Sequence, residues 1–267
     1  MQNSVPAQRQ LKRNVSFVNM KRVLFLCLIS FVSFSAFSQT KPATSNAAAP
    51  QAPATPAAVP VKPVRAAKYE VLYGSKPLSK ADQKELNEFV ASCDASFGSR
   101  AEAVTFFAER AWEYVASAHL DTATYRFNLI SALDPNSVDA FWGLGVISFQ
   151  RGDNDLAIRL LNKGLELDST QSMMRVDYAI VKLDCYQKGQ DCGNLDEVET
   201  ELKHALAQDP KNANAWMKRS QVAYYKENYE LAWTYFHEAR VTDILQLDLN
   251  FGALLEAKMP DPKGIFK

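Results

Sequence analysis

Few residues of this sequence have the type and spacing that chemistry needs. The three histidines, His119, His204 and His237, have no second histidine or cysteine at a spacing that would bring two metal ligands together. Glu109 and Glu113 lie one helical turn apart, which could suit acid–base work, but on a helix such pairs usually face solvent. The sequence has no glycine-rich phosphate loop, nucleophile elbow or zinc-protease motif. We therefore predict no catalytic residues, no metal and no cofactor, in a protein that is not an enzyme.

The four cysteines are more informative. Cys27 lies in a segment that we expect to be removed, which leaves Cys93, Cys185 and Cys192. Cys185 and Cys192 flank the hexapeptide YQKGQD, and export would place them in an oxidising compartment, so we predict a disulfide between them. The alternative, a metal site, would need two more ligands nearby. Cys93 lies on the apolar face of a predicted helix, which favours a buried thiol.

The N-terminal segment 1–38 has the pattern of a cleavable secretory signal. Lys21 and Arg22 precede a run from Val23 to Ser38 that is apolar and rich in serine, and small residues stand at Ala36 and Ser38. The alternative is an uncleaved membrane anchor, but the run is shorter than the ~20 apolar residues of a spanning helix. Met20 is a second candidate start, so the signal proper comprises residues 20–38. We predict cleavage after Ser38, no membrane span in the mature chain, and a periplasmic or otherwise extracytoplasmic location in a bacterium.

Residues 39–67 form a segment of different composition, with six prolines, ten alanines and almost no large apolar side chain. Such a segment cannot build a packed core, so we predict a disordered linker. It is either a tether that holds the folded part away from a surface or a low-complexity leader without a role.

The charge balance excludes some classes of partner. The five basic residues of the segment 1–38 have no acidic counterpart there, and the rest of the chain carries 25 basic and 30 acidic residues, a net charge of −5. Nucleic acids and anionic membrane surfaces require a basic patch. We therefore expect protein partners and no nucleic acid.

The elements that must position any site belong to an internal repeat, which is clearest in residues 138–171. A first apolar stripe at helical spacing is followed by a break at Gly152 and then by a second stripe. The first stripe consists of Phe141, Leu144, Gly145 and Ser148, and the second of Leu156, Ala157, Leu160, Leu161, Gly164 and Leu165. This pattern predicts a helix–turn–helix hairpin that needs a neighbour on each side to bury both apolar faces.

Copies of this unit occupy residues 104–137, 172–212 and 213–246. The 172–212 copy is altered: Arg175 and Lys182 stand where apolar residues are expected, and seven extra residues fall in its turn. Residues 68–103 precede the copies as an extended segment and a helix, and residues 247–267 follow as a capping helix and tail.

The frame of this repeat resembles the tetratricopeptide repeat. An aromatic residue opens the first helix, glycine or alanine follows four positions later, alanine and a large apolar residue mark the second helix, and Asp-Pro closes the unit. The segment from Leu120 to Asn128, with the following Phe141 to Gly145, is also similar to a group of exported bacterial tetratricopeptide proteins. The resemblance implies an all-α, right-handed superhelix of helix–turn–helix repeats that acts as a protein-binding scaffold.

The resemblance also implies a binding surface, because first helices of tetratricopeptide repeats line an inner groove. Here the corresponding positions are apolar or aromatic rather than the basic residues that grip chaperone carboxylates, which favours an apolar peptide or an amphipathic helix. The predicted partner-binding residues are Trp112, Val115, Trp142, Val146, Phe149, Ile180, Met217 and Tyr224. Three alternatives stay open: the chain's own segments fill the groove, copies of the chain self-associate, or the groove binds a small molecule or substrate.

Overall fold

The computed structural model describes residues 66–266, and within them the protein is all-α with no strand. This confirms the predicted fold class. The helices are α1 Lys80–Ser96, α2 Arg100–Ala116, α3 Leu120–Leu133, α4 Val138–Gln150, α5 Asn154–Leu167, α6 Ser172–Gln187, α7 Leu195–Gln208, α8 Ala213–Tyr225, α9 Tyr229–Thr242 and α10 Leu249–Lys258. None of the described helices is both long enough and apolar enough to cross a membrane. The predicted signal, residues 1–38, and the predicted linker up to residue 65 lie outside the described residues.

Helices α2 to α9 pack as four successive hairpins, α2 with α3, α4 with α5, α6 with α7, and α8 with α9. Side-chain caps set where the helices begin: Ser137, Asp153, Asn194 and Asn212 each accept a hydrogen bond from a backbone N–H in the first turn of α4, α5, α7 and α8. The first helix of the first hairpin begins at Arg100, and the repeat frame starts four residues later, at residue 104. Ser99 caps it by accepting from the Glu102 N–H.

Glycines allow the helices to approach closely. A Cβ atom added at Gly143 of α4 would lie 2.1 Å from Cζ of Phe127 on α3, and one at Gly145 would lie 2.8 Å from Cγ of Leu161 on α5. Both distances are shorter than atoms tolerate, so α4 can sit between its two neighbours only with glycine at these positions. These two glycines thus allow α4 to pack closely against the second helices on both of its sides.

The segment before α1 differs from the extended piece that the sequence predicts. Ala67–Tyr69 and Val71–Ser75 form short 3-10 turns, with Leu72, Tyr73 and Gly74 in the left-handed region. Asn128, fully buried in α3, holds these turns: its Oδ1 accepts from the Leu72 N–H at 2.9 Å, and its Nδ2 donates to the Glu70 carbonyl at 2.8 Å. A buried amide that satisfies the backbone in this way selects a turn over a strand.

Residues 259–266 follow α10 and fold back onto α9. Asp261 accepts from His237 Nε2 at 2.8 Å and from the backbone N–H groups of Lys263, Ile265 and Phe266. The Phe266 ring stacks 6.0 Å from Trp233. The tail is therefore anchored by a buried carboxylate as well as by an aromatic contact.

Candidate partner-binding surface

Most of the predicted partner-binding residues on the inner face of the first helices are buried. The Trp112 and Trp142 rings lie 5.2 Å apart, and Trp142 Nε1 donates to Asp177 Oδ2 of α6 at 2.6 Å. Successive first helices thus pack against one another through these side chains. Five of the eight predicted binding residues are at most 8% exposed: Trp112, Val115, Trp142, Ile180 and Met217. In this conformation these five residues are buried, and their role in binding a partner stays a prediction.

The other three predicted residues, Val146, Phe149 and Tyr224, are partly exposed. Phe149 and Tyr224 lie in the last turn of α4 and α8 respectively. The accessible part of the inner face is therefore displaced toward the ends of the first helices.

A set of tyrosines extends this accessible region. The tyrosine cluster consists of Tyr186 at the end of α6, Tyr224 and Tyr225 at the end of α8, and Tyr229 at the start of α9. The Tyr186 and Tyr225 rings lie 5.6 Å apart, as do Tyr224 and Tyr229. Tyr186 is 39% exposed, and the other three are half-buried. Sequence reasoning missed Tyr186, Tyr225 and Tyr229, although the tyrosines in the last turns of α6 and α8 gave a usable signal.

Burial disfavours ionisation of one phenol of the cluster, that of Tyr225. Burial raises the pKa of Tyr225, and its hydroxyl accepts from Gln187 Nε2 at 2.9 Å. A neutral phenol presents an apolar ring together with a hydroxyl that can donate to a partner's carbonyl.

The turn that carries the seven extra residues supports the cluster. Its two cysteines are joined: the Sγ atoms of Cys185 and Cys192 lie 2.06 Å apart. A Cβ added at Gly193 would lie 2.2 Å from the backbone nitrogen of Tyr186, so the turn presses directly on the residue next to Cys185. Cys93 is buried and not disulfide-bonded. The disulfide therefore fixes the end of α6 where Tyr186 emerges.

The histidines and acidic pairs do not converge. His119 and His204 are exposed, His237 is buried against Asp261, and Glu113 pairs with Arg110 at 3.3 Å. Within residues 66–266 there is no group of three or more acidic, histidine or cysteine side chains placed to hold a metal ion.

Comparison with known proteins identifies the repeat. The tetratricopeptide-repeat family model matches residues 108–172, which confirms the resemblance seen in the sequence. No curated protein sequence matches the chain.

Solved structures similar to this chain include three proteins at low sequence identity. One is described as pilF of Pseudomonas aeruginosa, with 17% identity, a TM-score of 0.49, and coverage of 63% of this chain and 79% of that chain. MamA from Desulfovibrio magneticus RS-1 has 16% identity and a TM-score of 0.48, over 63% of this chain and 90% of that chain. YrrB, described as a tetratricopeptide-repeat protein with an unusual peptide-binding site, has 20% identity and a TM-score of 0.45, over 65% and 86%. Likeness at these values carries no information on function.

Proposed function

We propose that this chain, whose residues 108–172 match the tetratricopeptide repeat, is an exported, non-catalytic scaffold that binds a peptide or helix of a partner protein in the bacterial cell envelope. The fold supports the coarse part of this proposal, because tetratricopeptide arrays serve in general as protein-binding scaffolds. The predicted signal and the paired cysteines motivate the compartment.

The tyrosine cluster is the observation that carries the binding site. Tyrosine is enriched among the residues that dominate binding energy, since it buries a large rigid ring and retains a hydrogen-bonding group. Tyr186, Tyr224 and Tyr225 offer such groups in addition to the partly exposed Phe149 and Val146 of the inner face. An apolar stripe on a partner helix, or alternate side chains of an extended peptide, would match this surface.

Site-specific photo-cross-linking tests the site. We expect a photoreactive phenylalanine in place of Tyr186 to form covalent adducts with one envelope protein in living cells. The same probe at Phe106 of α2 is the matched control, because Phe106 is comparably exposed, at 44%, and lies outside the cluster. Equal adducts at both positions, or none at Tyr186, would contradict the proposed surface.

Export is tested separately. Mass spectrometry of the protein isolated from the envelope fraction should give a chain that begins after Ser38, with Cys185 and Cys192 resistant to thiol reagents until a reductant is added. A chain that retains the segment 1–38 and remains in the cytoplasm would refute the proposed location while leaving the scaffold role open.

A further inference from the structure

Helix α10 occupies the position of a first helix in a fifth repeat. Gly252 of α10 follows Phe236 at the same sequence spacing at which Gly143 of α4 follows Phe127. A Cβ added at Gly252 would lie 2.9 Å from the ring of Phe236, which reproduces the close approach of Gly143 to Phe127. Helix α10 therefore packs on α9 as α4 packs on α3.

The place that a second helix would take beside α10 is open in the described part of the chain. In α4, Gly145 lies against Leu161 of α5, and Leu144 and Ser148 beside it are buried as well. Their equivalents in α10 are Ala253, Leu254 and Ala257, and all three are exposed, Leu254 by 57%. The tail does not cover them, because Asp261 and Phe266 anchor it on α9.

The segment that precedes α10 carries further exposed apolar side chains. We define the terminal patch as the exposed faces of Val241, Ile244, Leu245, Leu249 and Leu254, with Ala253 and Ala257. The five large side chains are 57–67% exposed, and they make up half of the exposed large hydrophobic residues among positions 66–266. Exposed apolar surface of this extent is typical of protein–protein interaction sites.

We propose that the terminal patch is a homodimer interface, in which α10 packs antiparallel against α10 of a second copy. An antiparallel pair with its two-fold axis near Ala253 and Leu254 places Leu254 of each copy against Ala253 of the other, and Asn250 against Ala257. The small alanines leave room for the leucine, which is the complementarity that close helix packing requires. One patch can thus serve both copies, as a two-fold interface demands.

The area available fits a dimer. Each of the five large side chains exposes about 100 Å², which gives roughly 500 Å² of apolar surface toward the ~800 Å² that each partner buries in an interface of standard size. The alanines, Asn250 and the aliphatic part of Lys258 lie on or beside the same face.

Charge favours the antiparallel arrangement. Asp248 caps the start of α10, and Lys258 lies in its last turn. The antiparallel pair brings the Lys258 end of each copy to the acidic end of the other, whereas a parallel pair would bring like charges together. Opposed helix dipoles act in the same direction.

Sedimentation of protein purified from expression of the whole chain tests the interface. We expect a monomer–dimer equilibrium between about 1 and 100 µM, and a shift to monomer of at least tenfold in concentration for Leu254→Glu. Leu167→Glu, at a leucine that is 38% exposed at the end of α5, is the matched control and should leave the equilibrium unchanged. A monomer at all these concentrations, or a dimer equally weakened by both variants or by neither, would overturn the proposal.

A cross-link tests the geometry. Ala253 lies beside the proposed axis, so oxidation of the Ala253→Cys variant should give a disulfide-linked dimer on a non-reducing gel. The same substitution at Ser131, half-buried on α3, is a control that should remain monomeric. Failure of Ala253→Cys to cross-link, or linkage to a different protein, would show that a second copy does not occupy this face.

Discussion

Arg175 and Lys182 are the residues that break the repeat pattern, and the structure explains both. Arg175 stands on α6 where the other copies have an aromatic side chain, and Lys182 stands where they have Tyr114, Ser148 and Ala223. Each pairs with an acidic residue of α7, Arg175 with Glu201 and Lys182 with Glu197. The Arg175 and Glu201 side chains are only 14% and 20% exposed. The third hairpin is therefore joined in part by ion pairs that lie between its two helices.

Variants at the Arg175–Glu201 pair should separate two quantities. One is the stability lost when a single partner is removed, and the other is the net contribution of the intact pair to the free energy of unfolding. We expect Arg175→Met to lower the free energy of unfolding by about 2 kcal/mol, because the Glu201 carboxylate stays partly buried without its partner. The double variant Arg175→Met with Glu201→Leu should recover most of this loss. Urea unfolding measures both, and Lys84→Met, at the exposed Lys84–Glu88 pair, is the control with an expected change below about 0.5 kcal/mol. An Arg175→Met variant with an unchanged free energy of unfolding would contradict this account.

At the scale of elements, the C-terminal tail is held by one carboxylate. Burial by itself raises the pKa of Asp261, but hydrogen bonds from the Phe266, Lys263 and Ile265 N–H groups and from His237 outweigh it, so the pKa lies below its ordinary value. Because the folded-state pKa is lowered, the carboxylate stabilises the tail fully above the unfolded pKa of about 3.9. That stability is lost as the pH falls further.

Acid should therefore release the tail before it unfolds the repeats. We expect the Phe266 amide resonance to shift toward its unfolded position as the pH is lowered below about 4, and Asp261→Asn to cause this shift already at neutral pH. Asp191→Asn, at an exposed carboxylate of the disulfide-closed turn, is the control without effect. A tail that stays anchored in Asp261→Asn would show that the stacking of Phe266 on Trp233 suffices.

At the scale of the whole molecule, the repeats are coupled through their first helices. Trp142 contacts Trp112 of the preceding hairpin and donates to Asp177 of the following one, so a single side chain links three repeats. Stability in such arrays is the sum of repeat and interface contributions between neighbours. Loss of Trp142 would weaken two interfaces together.

Trp142→Ala should lower the free energy of unfolding by about 3–5 kcal/mol, as expected for a large buried aromatic residue. Phe149→Ala on the same helix is the control, since Phe149 is partly exposed and should cost clearly less. Thermal and urea unfolding are the measurements. Equal losses would mean that the inter-repeat contact adds nothing to ordinary burial.

The sequence by itself determined the repeat and the helices, because the period of apolar and small residues and the capping side chains act locally. Ser79, Ser99 and Asp153 each accept a hydrogen bond from a backbone N–H three residues ahead, and the cysteines that flank YQKGQD are close enough in sequence to pair. Only the tertiary structure decided which apolar residues remain accessible, because burial depends on neighbouring helices distant in sequence. It placed Trp112 and Trp142 in the core, left the tyrosine cluster half-exposed, and left Leu254 uncovered where Gly145 is enclosed.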